Sequence, residues 1–149
     1  VRQVIEKTRD SEVDVIRSVE GLATRALEDF FEGWENKPTA ETLKQLLFEA
    51  PFKAIALDRR NASVVGFTYA VSDKMISAYI PLLEVRSEHR GRGIGARLVR
   101  DLLEQCEGLY MVDACCDEEL TPFYSALGFQ KGGAGMIRRN YRAQAGLFK

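Results

Sequence analysis

Along the chain the apolar positions change period several times, and each change marks an element. Arg2–Thr8 alternates as a short strand. After polar Arg9-Asp10-Ser11-Glu12, apolar residues recur at every third or fourth position: Val15, Val19, Leu22, Ala23, Ala26, Leu27, Phe30 and Phe31. That spacing predicts helix as far as Trp34, with Gly21 weakening its middle. Gly33-Trp34-Glu35-Asn36-Lys37-Pro38 is a break. Thr39 then caps a second helix, with Glu41 in its first turn, Leu43, Leu46 and Leu47 inward, and Pro51 after its end. Lys53–Asp58 and Ser63–Ser72 are rich in β-formers and read as a hairpin turning at Arg59-Arg60-Asn61. Asp73-Lys74 makes the next turn into a long strand, Met75–Val85. Pro81 within it is awkward for a fully paired position and predicts an irregular strand.

The polar stretch that follows carries glycine at alternate positions, Gly91, Gly93 and Gly95. It opens a helix with Ile94, Leu98, Val99, Leu102, Leu103 and Cys106 on one face. Leu109–Cys115 is a short strand of parallel type. Asp117-Glu118-Glu119 opens a further helix that tolerates Pro122 in its first turn and ends at Gly128. Gly132-Gly133-Ala134-Gly135 is a hairpin loop before a last strand, Met136–Tyr141. Three meandering strands that feed a helix predict α+β, not a doubly wound sheet. At 149 residues the chain is expected to be one domain over 1–149.

A strand that runs into a glycine loop and then a helix is built to hold a phosphate. Glycines let the main chain turn tightly and approach a ligand. The free N–H groups and the dipole of the first helical turn then favour an anion. Arg90 and Arg92 add charge beside them. Gly91-Arg92-Gly93-Ile94-Gly95-Ala96 satisfies the dinucleotide pattern, with Asp113 about twenty residues on. However, five polar residues, Arg86–Arg90, separate the strand from the first glycine, and too little chain follows for a second nucleotide-binding half.

Val85-Arg-Ser-Glu-His-Arg90-Gly-Arg-Gly-Ile-Gly95 resembles motif A of the GCN5-related N-acetyltransferase superfamily, whose signature Arg/Gln-x-x-Gly-x-Gly/Ala falls on Arg90, Gly93 and Gly95. Ser87 stands where the family often has proline. Pro122-Phe123-Tyr124-Ser125-Ala126-Leu127-Gly128-Phe129 resembles its motif B, at the family's spacing. The likeness is firm over Ser77–Phe129 and extends to small bacterial acetyltransferases. It implies a mixed, mostly antiparallel sheet of six to seven strands flanked by about four helices. It also implies acetyl-CoA as cofactor, bound by Leu83, Val85, Arg90, Gly91, Arg92, Gly93, Ile94, Gly95 and Ala96. A bulge at the end of the long strand would free the backbone of Leu83 and Val85 to pair with the pantetheine arm.

Transfer of acetyl from a thioester to an amine needs a neutral amine, a donor for the oxyanion and a proton for the leaving thiolate. With an amine near pKa ~10 and a thiol near ~8.5, both proton steps need help at neutral pH. By resemblance Tyr124 is the candidate acid, and the Val85 N–H the oxyanion donor. Glu84 is a candidate base, or else a solvent-facing or Arg86-paired carboxylate; Asp113 and Asp117 are weaker candidates. Trp34, Tyr79 and Asp117 are candidates for the acceptor site. Trp34 and Phe30-Phe31 serve equally as core packing.

Net charge is −1, which gives no steer towards nucleic acid or an anionic membrane. No apolar run is long enough to span a bilayer. The three cysteines, Cys106, Cys115 and Cys116, show no metal-ligand spacing and fit a reducing cytoplasm. If strand alternation continues through Cys115-Cys116, one faces the core. The expected reaction is acetyl transfer to a small-molecule primary amine, with a homodimer by family habit. A protein N-terminus or lysine as acceptor, a non-catalytic acyl-CoA-binding module and a dinucleotide enzyme are the alternatives.

Overall fold

The structure, a computed structural model, describes residues 12–132. The predicted strands Arg2–Thr8 and Met136–Tyr141 lie outside the described residues. The described strands are β1 (Val13–Ile16), β2 (Phe52–Asp58), β3 (Ser63–Ser72), β4 (Ser77–Val85) and β5 (Met111–Ala114), and the α-helices are α1 (Ala40–Glu49), α2 (Ile94–Gln105) and α3 (Thr121–Ala126). The sheet runs β1-β2-β3-β4-β5 in space. All pairs are antiparallel except β4 with β5. The predicted hairpin, the capped helix α1 and the parallel last pair are therefore present, in an α+β fold.

Glu12–Trp34 contains no α-helix. Val13-Asp14-Val15-Ile16 is rich in β-branched residues and pairs with β2, from Val13↔Asp58 to Ile16↔Ile55. Beyond it, Gly21, Asp29, Phe31 and Gly33 all have left-handed backbones, with φ of 79°, 62°, 64° and 82°. Only Thr24–Leu27 makes a 3-10 turn. The apolar spacing did mark core positions, since Val19, Leu27, Phe30 and Phe31 are buried. They reach the core from an irregular chain, which is why three α-helices, not four, stand among the described residues.

The two faces of the sheet have different covers. Phe30, Phe31, Leu43, Leu47, Ile55 and Phe67 form the core between the sheet and α1. Helix α1 begins where Thr39 Oγ1 accepts the Thr42 N–H at 3.1 Å. On the other face α2 buries Ile94, Leu98, Val99 and Leu102, while Leu103 is only half-buried. Polar side chains fix the direction of α2. Arg17 pairs with Asp101 at 2.9 Å and Arg97 donates to the Val13 carbonyl at 2.9 Å. Gln105 donates to the Lys53 carbonyl at 2.8 Å. Held at β1 and β2, α2 lays its N-terminus beside the end of β4.

Candidate active site

β4 and β5 part company half-way along β4. Their ladder runs from Ser77↔Met111 to Ile80↔Ala114 and stops. At that point β4 carries an extra residue. Tyr69↔Leu82 is followed by Val71↔Tyr79, so Ile80 and Pro81 together oppose Ala70. Pro81, which has no N–H to offer, sits in this bulge. The bulge shifts the alternation of side chains. Ala78 and Ile80 pack towards α2, and so do Leu83 and Val85, whereas Leu82 packs on the α1 side. The main chain beyond the bulge follows the same logic. The Arg86 N–H donates to Val65 of β3 at 2.9 Å, and the Leu82 carbonyl accepts from Thr68 Oγ1 at 2.8 Å. By alternation, Leu83 and Val85 turn their main-chain groups to the side β5 has left. The Val85 carbonyl on that side accepts from Arg90 Nε at 2.9 Å.

The glycine loop closes one end of this gap. Gly91 and Gly93 have φ of 73° and 78°, and Gly93 is the left-handed N-cap of α2. Both positions need glycine for the backbone alone. Gly95, in the first turn, does not: a Cβ there would make ordinary contacts, 3.6 Å from Phe123 and 3.8 Å from Leu83. The same contacts bring α3 and β4 alongside the loop. Ile94 is buried and anchors the turn. The first N–H groups of α2, including that of Ala96, have no carbonyl of an earlier turn to bond. Among the described residues, an anion-accepting helix end therefore stands between a strand edge that no other strand pairs and α3.

Residues 19–129 match the model of the Acetyltransferase (GNAT) family. The chain belongs to this family. Its fold is shared with a candidate acetyltransferase of Deinococcus radiodurans R1, 40% identical at a TM-score of 0.85, over 93% of this chain and 96% of that one. A GNAT-family acetyltransferase of Streptococcus pneumoniae TIGR4 is 26% identical at 0.62, over 87% and 98%. The glucosamine-6-phosphate N-acetyltransferase of Arabidopsis thaliana is 17% identical at 0.65, over 85% and 97%, and shares the fold. No curated protein matches the chain.

This GNAT chain places its motif B tyrosine in a cavity of about 960 Å³ between the end of β5 and α3, lined in part by Tyr79, Asp113, Cys115, Cys116, Tyr124 and Ser125. Tyr124 is held edge-on between Phe123 and Phe129, with ring centroids 5.0 and 5.4 Å away. Burial raises its phenol pKa, and Cys116 and Tyr79 push the same way. The phenol therefore keeps its proton at neutral pH. Cys115 and Cys116 are both exposed, against the expectation that one faces the core. The strand ends at Ala114, so alternation no longer governs them. Asp117 is also exposed; its carbonyl accepts the Leu120 N–H, and it does not line the cavity.

Trp34 stands elsewhere, on the α1 side of the sheet, 5.1 Å from the ring of Phe31. Tyr79 is the candidate acceptor residue that joins Tyr124; Trp34 and Asp117 do not line that cavity. Glu84 points to the Trp34 side. Its Oε1 accepts the Phe31 N–H at 2.6 Å. A bulky residue with positive φ costs about 1–3 kcal/mol. A hydrogen bond to a charged group contributes about 1.5–3 kcal/mol, so this one can offset the strain. Arg86 was not singled out from sequence as a site residue. It donates to the carbonyls of Val64 and Glu28 at 2.7 Å each, and its guanidinium lies 4.4 Å from the Phe30 ring centroid. Arg90 reaches Glu32 at 3.4 Å. Three charged residues of motif A and the strand before it thus fasten the segment from Ala26 to Trp34 to the open end of β4.

Proposed function

We propose that this chain is an acetyl-CoA-dependent N-acetyltransferase that acts by direct transfer in a ternary complex on a small primary amine. The observation that carries the reading is the parting of β4 from β5 opposite the glycine-capped N-terminus of α2. The edge left by β5 at Leu83 and at the Val85 N–H suits an extended amide-bearing arm. Arg92, the N–H groups of Gly93, Gly95 and Ala96 and the approach allowed at Gly91 suit a pyrophosphate. Arg90 shapes the loop through Val85, and Ile94 anchors it. Acetyl-CoA supplies the activated acetyl thioester.

The protein's own groups do the rest. The Val85 N–H, on the vacated side, donates to the acetyl carbonyl oxygen as it gains charge. As the amine nitrogen bonds to the acetyl carbon and the C–S bond breaks, Tyr124 gives its proton to the leaving sulfur, and the proton shed by the amine restores the phenol. Tyr79 shares the cavity with Tyr124 and lines the approach of the amine. The exposed, unpaired Cys115 and Cys116 favour a reducing, cytoplasmic setting. None of the described helices is long and apolar enough to cross a membrane.

Calorimetric titration with acetyl-CoA, CoA and NAD tests the reading, repeated on Gly93→Glu and Gly93→Ala. Acetyl-CoA is expected to bind, to be lost in Gly93→Glu, and to survive in Gly93→Ala, which separates charge repulsion from backbone strain. Binding of NAD alone, or acetyl-CoA binding untouched by Gly93→Glu, overturns it.

A further inference from the structure

We propose that Glu84 is a positioning residue: by holding the Phe31 N–H, its carboxylate fixes the Phe31–Trp34 aromatic pair beside the end of β4 beyond its bulge, where the pair bounds the amine's approach from the α1 side, outside the cavity of Tyr79 and Tyr124. The inference rests on the N-acetyltransferase reading for the identity of that site, but the clamp itself is argued from the fold.

Three observations converge. First, Phe31 is buried and left-handed, with φ of 64°, and Asp29 beside it has φ of 62°. A bulky side chain does not hold such a backbone unless its surroundings impose it. Second, the imposing contact is a short bond, 2.6 Å, from the Phe31 N–H to a carboxylate on another element. Third, Glu84 lies between Leu83 and Val85, the two residues whose main chain faces the gap. Its side chain goes to the α1 face while theirs go to α2. One strand therefore offers its edge to an acyl carrier and its carboxylate to the aromatic pair. Phe31 carries Trp34 with it, because the Trp34 N–H donates to the Phe31 carbonyl at 3.1 Å and the two rings are 5.1 Å apart. Glu84 Oε1 is committed to the Phe31 N–H, so in this role the carboxylate acts on the aromatic pair through the backbone of Phe31.

Trp34 is the sole tryptophan of the chain, which makes its fluorescence a local probe. Acrylamide quenching is measured on the full chain without ligand, in wild type, E84Q and E84A, alongside acetyl-CoA titration of each. Glutamine keeps an acceptor oxygen and alanine does not. E84A is expected to raise the quenching constant about twofold as the segment opens locally, with E84Q close to wild type. Acetyl-CoA affinity is expected to stay within about threefold in all three. Equal quenching in wild type and E84A overturns the clamp. If wild type fails to bind acetyl-CoA while E84A still exposes Trp34, the acetyltransferase reading fails and the clamp stands. Should E84A not fold, hydrogen exchange in the unaltered chain asks the same question. The Phe31 amide is expected to exchange at least about tenfold more slowly than those of Asp29 and Glu32, and equal rates overturn the proposal.

Discussion

Gly66 of β3 lies flush against Glu84 of β4: a methyl group at Gly66 would stand 2.9 Å from the Glu84 carbonyl oxygen and 3.2 Å from both Leu98 and Val85. The nearest obstacle is backbone, which cannot rotate away. Gly66→Ala is therefore expected to lower stability by about 1–3 kcal/mol. The strand that yields is the one with the open edge, so acetyl-CoA binding should weaken as well. Urea denaturation and calorimetry on the same variant check both; an unchanged denaturation midpoint contradicts the contact.

The glycines of the loop divide by cause. Gly93 is left-handed, and alanine there is expected to cost about 1–2 kcal/mol. Gly95 sits in the first turn of α2 with room for a methyl group. Gly95→Ala is expected to leave stability unchanged or to raise it by up to about 1 kcal/mol through helix propensity. A thermal melt of the two variants side by side decides it, since a loop held only by sequence-wide glycine flexibility would show the same change in both.

What was legible in the sequence was what is locally determined. Gly91 and Gly93 announced a turn because their backbones need glycine. Thr39 announced α1 because its side chain caps it three residues on. Pro81 announced an irregular strand because it cannot complete a ladder. The stretch from Val13 to Trp34 was misread because its conformation is imposed from afar. Phe31 is held by Glu84, 53 residues away, and the Glu28 carbonyl by Arg86, 58 residues away. An irregular chain laid on a sheet can place apolar residues at helical intervals without being a helix. The roles of Glu84 and Arg86 were hidden for the same reason, since nothing near them in sequence says where their side chains go.

Two aspartates predict how stability responds to acid. Arg60, through its guanidinium and its N–H, holds the Asp58 carboxyl down to about 2. The N–H groups of Ile76, Met75 and Ser77, with the Ser77 hydroxyl, hold Asp73 down to about 2 in the β3–β4 turn. An unfolded aspartate titrates near about 3.9, so the folded state releases its protons more readily. The stabilisation is fully present above about pH 4 and is lost as pH falls towards 2. Asp58→Asn and Asp73→Asn should lower stability at pH 7 and flatten the acid limb of a stability–pH curve. Parallel curves for wild type and the double variant would contradict the assignment.

Tyr124→Phe separates packing from proton transfer. The ring stands edge-on to Phe123 and Phe129, and phenylalanine keeps both contacts, so the fold should keep its stability. Only the hydroxyl goes. If Tyr124 protonates the leaving sulfur, thiol release from acetyl-CoA in the presence of a productive amine should fall by about 10²–10⁴-fold, with acetyl-CoA affinity unchanged. The wild-type rate carries a second signature. Burial, Cys116 and Tyr79 raise the phenol pKa, so the proton stays in place through the neutral range and is lost only at strongly alkaline pH. The rate limb that reports Tyr124 should therefore lie above about pH 10, and be absent in the variant. A variant that retains the full rate assigns the proton to solvent and leaves Tyr124 as a wall of the cavity.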